Sequence, residues 1–199
     1  MHRLESNTKH IGLCPKTNVR KEGVKIPNHV RNVLTFKDLN SNEKEFILER
    51  FMSWYEELVD RIIDFDKIIP EPRTESECPD DFKVNRDSHI MGDKDRPWFD
   101  WYKWHNFHWG TKWNAYDGET YVYTDRIECM FNTAWSPPMP IYEQMAEKYP
   151  NFEWEVKYAD ECGGDNCGHI IHNKGETTCV EISDMSNDEI YNEVWGEDE

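Results

Sequence analysis

Alternating apolar and polar positions along three segments of the chain predict three β-strands. The segments run from Val30 to Phe36, from Arg126 to Ala134 and from Phe152 to Tyr158. Shorter apolar runs predict weaker strands at Phe65–Ile69 and Tyr121–Tyr123. A hairpin is predicted near the end, where strands His169–His172 and Thr177–Ile182 flank a turn at Asn173-Lys174-Gly175.

Apolar residues at helical spacing predict the remaining elements. The longest helix covers about residues 42–63, with Ser41 as its predicted cap. Its apolar face carries Ile47, Phe51, Trp54, Leu58 and Ile62. Aromatic residues predict a short helix near 98–108, and Pro140 opens another in which Ile141, Met145 and Tyr149 are spaced by four. Residues 186–195 are compatible with a short acidic helix.

The order of these elements predicts an α+β fold: strand, long helix, strand, insertion, strand, helix, strand and hairpin. Two strand–helix–strand units with helices on one face of a mainly antiparallel sheet describe the ferredoxin-like split β-α-β motif. We expect residues 1–25 to be an N-terminal extension, because they show no periodicity. Residues 26–183 form the predicted domain, with an insertion at about 71–98, and residues 184–199 form an acidic tail or short helix.

The charge of the chain is strongly negative and unevenly distributed. The net charge is −17 over 199 residues, and residues 155–199 alone carry two lysines against thirteen acidic residues. Such a field repels nucleic-acid phosphates and suits a basic partner protein, although it also serves solubility. The candidate contacts to such a partner are Asp184, Asp188, Glu189, Glu193, Glu197, Asp198 and Glu199.

The run from Trp109 to Asp117 has neither strand alternation nor a helical stripe. As a binding surface, its rings would stack on a base or another ring, and Lys112 would meet a phosphate. The candidate ligand-binding residues are Trp109, Lys112, Trp113, Asn114 and Asp117. As a structural corner, the rings would pack on the sheet and the polar side chains would bond to the backbone of a turn. We favour the corner.

Metal and catalytic chemistry have weak support in the sequence. Cys162, Cys167, His169 and His172 are zinc-type ligands, with Cys179 beyond them, but their spacing does not match a standard zinc module. On a strand, the two histidines would point to opposite faces. His105 and His108 would share a helical face with Asp100 or Asp117 nearby, although a pair of histidines within an aromatic cluster is the simpler interpretation. We expect no metal, no cofactor and no catalytic residues, since no nucleophile or phosphate-loop motif is present.

Location and redox state are also predicted. No apolar run is long enough to span a membrane, and residues 1–26 lack the apolar region of a signal peptide. We therefore expect a protein of the host cytoplasm with no membrane partner. The six irregularly spaced cysteines are interpreted as reduced thiols.

Four sequence blocks stand out in order along the chain, at residues 26–36, 67–72, 109–117 and 132–138. In this order they resemble the phage-encoded Api92-like family, whose members have a ferredoxin-like domain. The resemblance covers about residues 26–182. It implies a ferredoxin-like core in phages, plasmids and other mobile elements, and it implies no known activity.

Together these features suggest two functions. The first is a non-enzymatic interaction protein of a phage or mobile element that binds a host or defence protein through an acidic surface. Its concrete form is an anti-defence inhibitor of the anti-CRISPR or anti-restriction type. The second is a small-molecule or nucleotide binder, or an enzyme, that uses the aromatic run Trp109–Asp117.

Overall fold

The computed structural model describes residues 28–54, 61–84, 94–162, 166–173, 175–180 and 187–196. The predicted N-terminal extension, residues 1–25, lies outside these ranges, as do part of the predicted insertion and the acidic positions Asp184, Glu197, Asp198 and Glu199.

A six-stranded antiparallel sheet forms the centre of the molecule. Its strands are β1 (His29–Lys37), β4 (Tyr116–Val122), β5 (Ile127–Ala134), β6 (Glu153–Asp160), β7 (Cys167–Asn173) and β8 (Glu176–Val180). Their order across the sheet is β4-β5-β1-β6-β7-β8. A separate two-stranded ribbon consists of β2 (Met52–Trp54) and β3 (Arg61–Ile63).

Five helices accompany the strands in the described parts of the chain. They are α1 (Ser41–Arg50), α2 (Phe65–Ile68), α3 (Trp101–His108), α4 (Met139–Lys148) and α5 (Asn187–Trp195), and a 3₁₀ turn lies at Asp80–Phe82.

The central strands and two of these helices form the split motif. Along the chain, β1-α1-β4-β5-α4-β6 is a β-α-β-β-α-β unit, and β1 lies between β5 and β6. Leu34 of β1 pairs with Cys129 on one side and with Val156 on the other, and all three are fully buried. This confirms the α+β, ferredoxin-like fold predicted from the sequence.

The main core lies between the sheet and the pair α1 and α4. Ile47 of α1 and Ile141 of α4 are fully buried there with Leu34 and Trp154 of the sheet. The phenol of Tyr142 donates a hydrogen bond of 2.9 Å to Asn32 Oδ1 and thereby satisfies a polar side chain inside this core. The two helices of the split motif therefore cover one face, as predicted.

The other face of the sheet, called here the outer face, is partly covered by α5. Ile190 and Val194 pack with Ala159 and Cys167 in a second, smaller apolar cluster. The indole of Trp195 donates to the carbonyl of Ala159 and thereby fixes the end of the helix. The helix predicted at 186–195 is therefore present, on the face opposite α1 and α4.

The predicted long helix at 42–63 is wrong beyond Arg50. The helix α1 ends there, and the chain enters β2 after Phe51. Ile47, Phe51 and Ile62 are buried as their spacing suggested, but Ile62 belongs to β3. Apolar residues four apart thus reach one core from a helix followed by a ribbon, which the sequence pattern does not distinguish from one continuous helix.

Two local predictions also need correction. The cap of α1 is Asn40 rather than Ser41, because the Asn40 side chain accepts from the backbone of Asn42 and Glu43 in a capping box. Residues Phe65–Ile68 form a single helical turn instead of a strand, because Asp64 accepts the backbone N–H of Asp66 and caps it.

Between α1 and β4 the chain makes a long excursion from the split motif. It contains β2, β3, α2, the 3₁₀ turn and α3. Within the described part of the predicted insertion, Cys78 and Phe82 are buried, and Lys83 forms a β-bridge with Phe99. The insertion is therefore packed against the domain in this part.

Candidate functional site

An open cleft of about 380 Å³ lies between the excursion and the corner that leads into β4. Three carboxylates line it: Asp64, Asp66 and Glu71. Its other walls are three tryptophans with one histidine and one amide, namely Trp101, Trp109, Trp113, His105 and Asn114. Its volume is at the lower end of the roughly 300–1,000 Å³ typical of small-molecule sites.

The first half of the Trp109–Asp117 run builds the corner behind the cleft. Trp109 is 2% exposed and donates its indole N–H to the carbonyl of Ile69. Gly110 has a φ of 77°, a conformation that L side chains rarely adopt. The hydroxyl of Thr111, which is fully buried, donates to the carbonyl of Ala134 and accepts from its N–H. These contacts join the corner to the end of β5.

The second half of the run turns towards the cleft and the surface. Asn114 donates to Asp64 Oδ1 at 2.8 Å and accepts from the N–H of Phe65 at 2.9 Å. Trp113 is 36% exposed, and the Lys112 ammonium lies 4.5 Å from the centroid of its ring. Asp117 is exposed with a φ of 46°, at an irregularity of the β4–β5 pairing. Trp109, Trp113 and Asn114 thus line the cleft, while Lys112 and Asp117 do not.

Glu71 and His105 form a hydrogen-bonded pair inside the cleft. Glu71 Oε1 contacts His105 Nε2, and Arg96 bonds to Glu71 Oε2 at 2.6 Å. Burial acts to raise the pKa of Glu71, but the hydrogen bonds from His105 and Arg96 outweigh it, so that the pKa lies below its ordinary value. Glu71 is therefore an anion that is already paired.

His105 is held rigidly by its surroundings. Its Nδ1 lies 2.8 Å from the carbonyl oxygen of Lys112, and its ring stacks on Trp109 with the centroids 4.0 Å apart. His105 as a whole is buried, with 8% of its surface exposed. His105 and His108 do not form a shared metal site: His108 packs against Trp104 and Phe82, where burial lowers its pKa.

The two aspartates have different partners. Asp66 accepts from the backbone N–H of Glu71 and pairs with the guanidinium of Arg73. Asp64 accepts from the hydroxyl of Ser53 at 2.6 Å, from Asn114 and from the N–H of Asp66. All three donors to Asp64 are neutral. Within the described ranges, no cationic side chain pairs with Asp64.

The acidic residues predicted to bind a partner are described only on α5. Asp188 and Glu189 lie exposed in its first turn. Glu193, one turn further along the helix, forms an ion pair with Lys157 of β6. These residues lie on the outer face of the sheet and do not line the cleft, so the two predicted sites are separate.

The cysteine and histidine cluster does not come together. His169 faces the outer side and bonds to Glu155, whereas His172 stacks on Trp154 in the core and contacts Thr177. Cys167 is buried under α5, and Cys162 is exposed. Among the residues that the structure describes, no group of three or more candidate ligands is placed to hold a metal ion.

Sequence reasoning missed Asp64, Asp66, Glu71 and Trp101 as members of the cleft. Asp64 is distant in sequence from Asn114 and Trp113, and only folding of the excursion brings them together. The one available signal was the aspartate before Phe65, which is a helix-capping residue type.

The C-terminal part of the chain matches a known domain family. Residues 108–199 match the family model described as the ferredoxin-like domain in Api92-like protein. This confirms the resemblance for that part of the chain, called here the Api92-like segment. It contains β4 to β8, α4 and α5, but neither β1 nor most residues of the cleft. No curated protein and no solved structure matches the chain.

No helix in the described ranges is both long enough and apolar enough to cross a membrane.

Proposed function

We propose that this protein is a non-enzymatic interaction protein that binds a basic partner through an acidic surface. The supporting observation is the packing of α5. Ile190 and Val194 are buried against the sheet, and this places Asp188 and Glu189 at the surface. A helix whose apolar side is already used by its own domain offers mainly its charged side to a partner.

The acidic character continues beyond α5 on the outer face. Glu128 of β5 lies on this face because it alternates with the core residues Ile127 and Cys129. Glu119 of β4 lies on it too, because it pairs with Met130, which alternates with the core residues in the same way. Together with the net charge of −17, this favours a basic surface as the partner.

The finer part of the proposal concerns the biological setting. The Api92-like resemblance implies a phage or mobile element, so we propose a host or defence-system protein of the host cytoplasm as the partner. The concrete form is an anti-defence inhibitor of the anti-CRISPR or anti-restriction type. A nucleic-acid-binding groove is a basic surface of the required kind.

The experiment is a capture of proteins from host lysate with the tagged full-length chain at about 0.1 M and about 1 M salt, where the screening length falls from roughly 10 to 3 Å. The test variant is Asp188→Lys with Glu189→Lys. We expect it to lose a partner that the wild type captures only at low salt.

The matched control places the same change of charge elsewhere. Glu143 and Glu147 are exposed on α4, on the opposite face of the sheet, and both are replaced by lysine. The control should retain the partner. If the α5 variant binds as the wild type does, with unchanged salt sensitivity, the acidic-surface proposal is wrong.

A second candidate function is supported by the cleft. Its volume and tryptophan walls suit a small ligand or a single side chain. Three carboxylates disfavour a nucleotide phosphate at this position. We therefore narrow this candidate from a nucleotide to a ligand without negative charge.

A further inference from the structure

We propose that the cleft binds an arginine side chain, with Asp64 as the carboxylate that receives its guanidinium. The inference rests on the proposed function in one respect: the arginine belongs to the basic partner. It concerns a different surface from α5, so the two are tested separately.

Asp64 supplies the uncompensated charge of the cleft. Glu71 is paired with Arg96, and Asp66 is paired with Arg73. Asp64 accepts only from neutral groups within the described ranges. Asp64 is half-buried, and a half-buried carboxylate gains more from a cationic ligand than an exposed one, because the ion pair is screened less.

The tryptophans supply flat walls for a planar cation. Trp113 is 36% exposed, and Trp101 is half-buried at the same cleft. A guanidinium stacks on an indole face while its N–H groups bond to a carboxylate in the plane. Lys112, whose ammonium lies 4.5 Å from the Trp113 centroid, shows that this ring already attracts a cation.

The protein itself contains the same arrangement next to Glu71, one of the carboxylates of the cleft. Arg96 bonds to Glu71 and lies with its guanidinium carbon 4.7 Å from the centroid of the Phe99 ring. A carboxylate and an aromatic face thus hold one arginine beside the cleft. Asp64 with Trp113 or Trp101 offers a second pair of the same chemistry.

The test uses N-acetyl-arginine amide as the probe and N-acetyl-citrulline amide as its neutral isostere. Binding to the full-length wild-type chain is followed by the indole N–H resonances of Trp101 and Trp113, assigned with Trp→Phe variants. We expect the arginine probe to shift both resonances in a saturable manner and to bind at least about tenfold more tightly than citrulline.

Asp64→Asn removes the charge and keeps the hydrogen-bonding shape. Asparagine is as good a helix cap as aspartate, so α2 retains its cap. We expect about tenfold weaker binding of the arginine probe and unchanged binding of citrulline. The control is Glu143→Gln, which changes the net charge equally on exposed α4 and should bind as the wild type does.

Two outcomes would overturn the inference: no saturable shift with the arginine probe, or equal binding of arginine and citrulline. Both are read on the wild type, so folding of a variant does not enter. A salt-sensitive partner captured through α5 without probe binding would reject the cleft alone. Probe binding without any captured partner would support the arginine site in the cleft and reject the proposed acidic surface on α5.

Discussion

Glu155 connects two residues on the outer face, Lys37 and His169. Its Oε2 accepts from Lys37 at 2.8 Å and from His169 Nε2 at 3.2 Å. The hydrogen bond from His169 is the largest cause of a pKa lowered to about 2; burial opposes it, and Lys37 adds to the lowering. A carboxylate held in this way stabilises the fold only while it is ionised.

The sign of the pH dependence follows from this shift. The pKa of Glu155 falls from an ordinary 4.5 to about 2 on folding, so its contribution is complete above pH 4.5 and is lost as the pH falls towards 2. We expect Glu155→Gln to lower the free energy of unfolding by on the order of 1–2 kcal/mol at pH 6, after allowance for solvent screening, and by much less at pH 2.

Urea unfolding at several pH values measures this difference. Glu143→Gln, on exposed α4, is the control and should stay within about 0.5 kcal/mol of the wild type throughout. A Glu155→Gln deficit that stays constant between pH 6 and pH 2 would show that the ion pair does not carry the effect.

At the scale of elements, the corner Trp109–Asp117 joins α3, α4 and β5. Gly110 lies directly against the first turn of α4: a Cβ at this position would lie 2.6 Å from Pro140 Cδ. The hydroxyl of Ser136 donates to the Gly110 carbonyl, which ties the same point to the β5–α4 connection. Two features therefore favour glycine at this position: the left-handed backbone and the close contact between elements.

A comparison of Gly110→Ala with Gly196→Ala should separate the effect of the left-handed backbone from the effect of the close contact with α4. Both glycines have a left-handed backbone, with φ of 77° and 80°, but nothing lies within 4 Å of a Cβ at Gly196. We expect Gly196→Ala to lower the free energy of unfolding by about 1 kcal/mol. Gly110→Ala should lower it by about 3 kcal/mol or more, because its methyl group also displaces Pro140. Chemical denaturation of the two variants measures these losses. Equal losses of unfolding free energy would mean that α4 shifts to accommodate the methyl group.

At the scale of the whole molecule, the Api92-like segment does not contain a complete sheet. Both β5 and β6 pair with β1, and β1 lies outside residues 108–199. Removing it would expose Leu34's partners Cys129 and Val156 and would leave two strand edges unpaired.

We expect a chain of residues 108–199 to lack cooperative thermal unfolding and dispersed indole N–H resonances. A chain of residues 28–199, which keeps β1, is the matched control and should show both. A cooperative transition in the shorter chain would mean that β5 and β6 form a stable sheet without β1.

The sequence alone was sufficient where burial repeats regularly. The strands from Val30 to Phe36 and from Phe152 to Tyr158 were predicted because alternate positions along them face the main core. The predicted element order led to the ferredoxin-like fold. The second strand of the motif is nevertheless β4, whereas the predicted strand at Phe65–Ile69 forms α2.

The sequence misled where one pattern fits two structures. Ile47, Phe51 and Ile62 reach the core whether the chain continues as a helix or turns into a ribbon, and long-range packing decides between them. Long-range packing also decided which residues of the Trp109–Asp117 run are buried. Trp109 entered the core and Trp113 did not, although both are tryptophans in one motif.

The sequence by itself determined the sheet, the acidic charge and the resemblance, because alternation, composition and motif are local properties of the chain. Only the tertiary structure decided which charges have partners. Asp64, Glu71 and Trp113 meet in one cleft through the folding of the excursion, whereas Asp188 lies on α5 at the outer face and does not line that cleft. Pairing depends on distances between residues far apart in sequence, and those distances exist only after packing.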